Sequence, residues 1–139
     1  MALENKLGIT DSSELARVEE KMSKKKALEM FESGLLDQLE VGTFQALSEI
    51  HTGLFGDIYE FAGKIRDVNI AKGIFHFAPV MYLNAALKNI DKMPQSTFDE
   101  IIEKYVEMNV AHPFREGNGR STRMWLNNLL NNEIRQVVN

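Results

Sequence analysis

Apolar residues recur along this chain at three- and four-residue spacing for most of its length, a pattern that predicts helices separated by short polar breaks. Asp11-Ser12-Ser13 offers side-chain oxygens to cap a first helix, Glu14 to about Met22, and Ser23 opens a second that runs to Ser33 before Gly34. In the second, Leu28, Phe31 and Leu35 form a stripe expected to face the core. Gly42-Thr43 begins a longer stretch carried by Phe44, Leu47, Ile50 and Leu54, with a weak or bent end at Gly53 and Gly56 before Ile58, Tyr59 and Phe61. Pro79 suits the first turn of the next helix, where its missing N–H is not needed, and Met81, Leu83, Leu87 and Ile90 carry that helix to about Lys92. Ser96-Thr97-Phe98-Asp99 reads as a capping box with aspartate in place of glutamate, followed by Ile101, Ile102, Tyr105 and Val106. After a loop from His112 to Gly119 the pattern returns from Arg120 through Leu130, with a short last piece at Glu133 to Val138.

One segment departs from this period. Between Gly63 and Pro79, Val68-Asn69-Ile70 and Ile74-Phe75-His76-Phe77 alternate loosely around Lys72-Gly73, which predicts a small β-hairpin. Two strands alone are marginal, so the hairpin must lean on helices. The expected fold is all-α with this one hairpin. With 139 residues and no repeat, low-complexity tract or linker, the chain reads as a single domain, residues 1–139.

Composition narrows the classes of function. A net charge of −4 with one basic cluster, Lys24-Lys25-Lys26, beside acidic residues argues against a nucleic-acid partner. The absence of cysteine removes disulfides, thiolate chemistry and cysteine-bound zinc. No apolar run approaches the roughly 20 residues that span a bilayer, and Met1 to Lys6 lacks the features of a signal peptide. The expectation is a cytoplasmic protein with no membrane partner.

Chemistry concentrates between Ala111 and Arg123. Pro113 biases His112 away from helical angles, so the preceding helix should end at the histidine and present it at a helix terminus. An imidazole with an ordinary pKa near 6.5 is the side chain best suited to accept a proton at neutral pH. Gly117-Asn118-Gly119 can expose backbone N–H groups where the next helix begins, a place that favours anions. Arg120 and Arg123 stand in the first turn of that helix, where cations oppose the dipole unless an anion sits between them. Glu116 can hold Mg²⁺ beside phosphates. Each residue also has a plainer reading: Glu116 and Arg120 as a surface i,i+4 pair, His112 as structural, Gly-Asn-Gly as a turn. The concentration of all of them in twelve residues favours chemistry.

His112-Pro113-Phe114-Arg115-Glu116-Gly117-Asn118-Gly119-Arg120-Ser121-Thr122-Arg123 resembles the signature of Fic domains, His-x-Phe-x-Asp/Glu-Gly-Asn-Gly-Arg-x-x-Arg, without a mismatch. Ile50-His51-x-x-Leu54-Phe55, Tyr59-Glu60-Phe61-Ala62-Gly63-x-x-Arg66 and Asn69-Ile70-x-Lys72-Gly73 to Phe77 are similar to that family's helix, its run into the flap and the flap itself. The likeness covers about residues 40–130, with N-terminal helices at about 11–34 and a weaker likeness at Asn5 to Ile9.

The resemblance implies a protein adenylyltransferase that moves AMP from Mg·ATP to a Ser, Thr or Tyr hydroxyl of a target protein and releases pyrophosphate. In it His112 is the general base and Glu116 the Mg²⁺ ligand. Gly117, Asn118 and Gly119 cradle the phosphates, Arg120 and Arg123 hold the β- and γ-phosphates, and Phe114 anchors this nucleotide-binding loop by packing inward. The flap residues Lys72, Gly73, Ile74, Phe75, His76 and Phe77 clamp the target segment by strand-like pairing. His51 is expected to make a structural hydrogen bond and His76 to face target or solvent. The family's inhibitory pattern, Ser/Thr-x-x-x-Glu-Gly/Asn, finds no match; Thr10-x-x-x-Glu14 comes nearest but is followed by Leu15. The expectation is therefore an unrestrained Arg123 and an active enzyme, with truncation or a separate antitoxin-like inhibitor as the explanations, and a homo-oligomer compatible with either. The alternatives carried forward are de-AMPylation, phosphoryl transfer and a non-catalytic nucleotide-binding module. A P-loop reading of Gly119-Arg120-Ser121-Thr122 fails for want of the lysine and the upstream strand.

Overall fold

The computed structural model describes residues 2–134. Five helices and one hairpin follow in the order α1 (Ser12–Glu32), a 3₁₀ turn (Leu35–Gln38), α2 (Phe44–Phe55), β1 (Ala71–Lys72), β2 (Phe75–His76), α3 (Val80–Lys92), α4 (Phe98–Ala111) and α5 (Asn118–Glu133). Helix α2 lies at the centre, packed by α1, α3 and α5, and α4 closes the bundle against α3 and α5. Its inward residues Ala46, Leu47, Ile50, Leu54 and Phe55 are essentially inaccessible and meet Leu83, Ile101, Met108, Phe114, Trp125 and Leu129 in one core.

Caps set the helix starts. Asp11 accepts from the Glu14 N–H at 2.9 Å and Thr43 from the Ala46 N–H at 3.1 Å. The capping box before α4 is built one residue later than expected: Thr97 is the N-cap and Glu100, not Asp99, closes it. Helix α3 begins after Pro79, and its Val80 N–H donates at 2.8 Å to Asn69 in the run before the hairpin.

Three helical expectations are corrected. The first two predicted helices are one, because Ser23 does not break α1; its hydroxyl donates back to the Glu20 carbonyl and the side chain is buried. The stripe Leu28, Phe31 and Leu35 faces outward, while α1 buries Leu15, Ser23 and Met30. Met81 and Val106 are exposed as well, and Lys104, an unlikely core residue by type, is buried with its ammonium on the Met93 carbonyl and the Gln95 side chain. Helix α5 continues to Glu133, and the short last piece expected from there lies mostly outside the described residues.

The hairpin is shorter than its hydrophobic pattern suggested. Ala71 pairs with His76 and Lys72 with Phe75, which leaves Gly73-Ile74 as a two-residue turn. Gly73 has φ +62°, the left-handed first position that such a turn requires. No helix among the described residues is long and apolar enough to cross a membrane.

Candidate active site

Helix α4 ends at Ala111, and His112 follows as its C-cap with φ 50° and ψ 65°. It is the one described residue other than glycine with positive φ, in a region disfavoured by about 1–2 kcal/mol for an L-residue. Pro113 forbids helical angles there, as expected, yet the backbone turns left-handed rather than extended. The neighbouring bonds explain it. The His112 N–H donates to the Met108 carbonyl at 3.0 Å, and its carbonyl accepts from Arg66 Nε at 2.7 Å. The ring stacks on Phe77 of the flap, centroids 3.8 Å apart and planes 12° apart. Burial lowers the imidazole pKa, opposed by a backbone interaction with Asn109 and reinforced by the charges of Arg66 and Lys72. His112 is therefore neutral, and able to accept a proton, near pH 7.

The next five residues form a closed loop. Asn118 turns its amide inward, accepting from the Phe114 N–H at 2.8 Å and donating to the Phe114 carbonyl at 2.7 Å. Phe114 is completely buried between His51 and Phe44, with ring centroids at 3.9 and 5.8 Å. It does not line the cavity, so any effect on a nucleotide passes through the loop it anchors. Gly117 is the N-cap of α5 with φ 78°, and a Cβ there would stand 2.5 Å from the Phe55 ring. No side chain caps α5, which leaves its first N–H groups facing outward for an anion.

His51 holds this loop from behind. Its Nδ1 accepts from the Gly63 N–H at 2.9 Å, so the proton must sit on Nε2, which donates to the Glu116 carbonyl at 2.8 Å. Burial lowers its pKa to about 4. The role expected of it, a structural hydrogen bond, is what the geometry contains.

A cavity of about 580 Å³ opens between this loop, the flap and α1. It is lined by His112, Glu116, Gly117, Asn118, Gly119 and Arg120, and by Lys72 and Phe77 from the flap. Gly73, Ile74, Phe75 and His76 stand outside it, exposed, with Ile74 98% accessible at the hairpin tip. Arg123 is exposed and also outside the lining. Glu14 of the nearest inhibitory-type match lies exposed in the first turn of α1, away from the cavity.

The surprise is α1. Glu19 lines the cavity, takes a hydrogen bond from the Tyr59 hydroxyl, and has its pKa raised by burial and by Glu116. Ser23, one turn later, accepts from Arg120. Placing a helix boundary at Ser23 concealed that these two residues share a face.

A model of the Fic/DOC family matches residues 42–130. The chain is 32% identical over 133 residues to the protein adenylyltransferase VbhT of Bartonella schoenbuchensis, covering 88% of this chain and 27% of that protein. It is 32% identical over 136 residues to the probable protein adenylyltransferase y4lH of Sinorhizobium fredii, covering 89% of this chain and 68% of the relative. Thus the chain spans about a quarter of the first relative's length and two thirds of the second's. In fold it is similar to BepC of Bartonella tribocorum, a structure with bound AMPPNP, at a TM-score of 0.75 and 23% identity, covering 96% of this chain and 74% of that one.

Proposed function

Because this chain belongs to the Fic/DOC family, we propose that it is a protein adenylyltransferase, moving the AMP group of ATP to a Ser, Thr or Tyr hydroxyl of another protein. The observation that carries the proposal is convergence: a neutral imidazole, a carboxylate, a helix N-terminus and an arginine open on one cavity. Its volume falls in the roughly 300–1,000 Å³ range of small-molecule sites.

His112 accepts the proton of the target hydroxyl. The oxygen bonds to the α-phosphorus of ATP, the bond to the β-phosphate oxygen breaks, and pyrophosphate leaves with the electron pair. The N–H groups of Asn118 and Gly119 hold phosphate oxygens, joined by that of Gly117 once it exchanges the Glu116 carboxylate for phosphate, and Arg120 and Arg123 take the β- and γ-phosphates. For Arg123 this requires the side chain to swing from its exposed position, and for Arg120 exchange of Ser23 for phosphate.

Glu116 fits a magnesium ion chemically. One carboxylate oxygen accepts from the Gly117 N–H at 3.1 Å and the other has no protein partner among the described residues. Hard oxygen ligands suit Mg²⁺, which takes one or two carboxylates and fills its shell with phosphate oxygens and water. The ion would supply charge neutralisation on the phosphates. The flap residues from Lys72 to Phe77 present an exposed edge to the target, with Phe77 holding the His112 ring. Control would come from an inhibitory segment or antitoxin-like partner that engages Arg123. A cytoplasmic setting, where ATP and magnesium are supplied, suits the activity.

The test is a lysate whose own kinases have been inactivated, incubated with this protein and with ATP labelled at the α- or the γ-phosphate. Label should enter protein from the α position alone, and His112→Ala should lose roughly 10²–10⁴-fold of the rate while still binding ATP. Since His112 must be neutral and its pKa is lowered, kcat/KM should fall with acidity only below pH 6.5. Label arriving from the γ position, or near-normal transfer by the variant, overturns the proposal.

A further inference from the structure

Arg66 is 4% exposed, does not line the cavity, and has no carboxylate among its hydrogen-bond partners. Its guanidinium is spent on four carbonyls instead. Nε donates to His112 at 2.7 Å and Nη2 to Ala111 at 2.9 Å, both at the C-terminus of α4. Nη1 donates to Val68 at 2.8 Å and Nη2 also to Ala78 at 2.6 Å, the residues that flank the hairpin on either side. Its backbone N–H adds a bond to the Pro113 carbonyl at 2.8 Å.

The carbonyls at the end of a helix have no intrahelical partners and carry the negative end of its dipole. At the end of α4 most of them can be followed. Met108 accepts from the His112 N–H, Val110 from the Ala78 N–H at 3.1 Å, and Ala111, His112 and Pro113 from Arg66. Of these donors, all but His112 itself come from the roots of the flap. A buried cation without a carboxylate is costly unless its donors are met, and the planar five-donor fork of arginine meets this splayed set of acceptors where lysine, with three donors on one atom, cannot.

We propose that Arg66 is a positioning residue that fastens both roots of the flap to the end of α4, so that the edge presented to the target and the ring that takes its proton move as one body. The inference rests on the roles given above to His112 and the flap. It adds that docking and proton transfer are mechanically coupled, and that the coupling runs through one side chain outside the cavity. The left-handed backbone at His112 is the visible consequence: two of the bonds that hold it come from Arg66, through its own carbonyl and that of Ala111.

Arg66→Lys and Arg66→Gln separate geometry from charge. Both should bind ATP within about threefold of the wild type, with kcat for a protein target reduced roughly 10- to 100-fold and its KM raised, as expected for a misplaced reacting group. Amide exchange should quicken together over 67–78 and 109–113 in both variants. The His112 imidazole, followed by NMR, is faced by Arg66 from the flap root and Lys72 from β1; its titration midpoint should rise in Arg66→Gln and stay near the wild-type value in Arg66→Lys.

In the wild type, the amides of Arg66, Ala78 and His112 should share one opening free energy, a measurement that needs no variant. Wild-type kinetics in Arg66→Lys, exchange that quickens in one segment only, unequal opening of the three amides, or ATP affinity lost in step with activity would each overturn the inference. If His112→Ala kept its activity, the catalytic reading would fall, yet the exchange and imidazole results would still decide the mechanical coupling.

Discussion

At the scale of single residues, the site depends on side chains that touch no substrate. His51 is the clearest. It bridges the Gly63 N–H and the Glu116 carbonyl in its neutral form, and a second ring proton would have no acceptor at Gly63. Its pKa, about 4 when folded against the ordinary 6.5, places a sign on this. Between those values the unfolded chain binds more protons than the folded one, so stability is complete above pH 6.5 and lost as pH falls toward 4. The shift corresponds to about 3 kcal/mol. Urea denaturation at pH 7 and pH 4.5 should show this loss in the wild type beyond that in His51→Gln; equal losses would mean that His51 does not titrate this way. In the sequence, His51 drew its structural role from the resemblance of Ile50-His51-x-x-Leu54-Phe55 to the family's helix, and the structure places it on the buried face of α2. The resemblance did not show that the ring supports the Glu116 carbonyl, since 65 residues separate the two.

Elements of secondary structure were legible where local chemistry decides them. Capping side chains, Pro79 and the Gly73 turn lie within a few residues of what they control, and the structure puts helix starts and the hairpin close to them. The helix that misled was α1. A serine followed by charged residues reads locally as a new N-terminus, but Ser23 is kept inside the helix by partners on α1 and α5. The flap gives the element its own prediction. Ile74 stands at the tip, 98% accessible, and the positive φ of the turn falls on Gly73, which adopts it without strain. Ile74→Asp should change the melting temperature little, as exposed substitutions typically stay within about 0.5 kcal/mol, and leave ATP binding intact. Its KM for the protein target should rise; an unchanged KM would remove the tip from target recognition.

For the molecule as a whole, the bundle exists to hold one bend between α4 and α5 against α2, the flap and α1. Binding at that bend should therefore stabilise the entire domain. At a concentration 100 times its Kd, Mg·ATP should add about 2.7 kcal/mol, visible as a melting shift of several degrees at roughly 2–4 °C per kcal/mol. Arg120→Ala should shrink that shift, and an undiminished shift would exclude the arginine from the phosphate site. Sequence alone determined the helical class, the hairpin and the segment from His112 to Arg123, because periodicity, turn chemistry and a contiguous motif are properties of neighbours along the chain. It could not assign Arg66 to the α4 carbonyls, bring Glu19 to the cavity and Ser23 to Arg120, or turn the Asn118 amide inward. Those outcomes depend on which buried polar groups find partners once the helices have packed, and a buried donor is satisfied by whatever acceptor lies within about 3 Å, however distant in sequence.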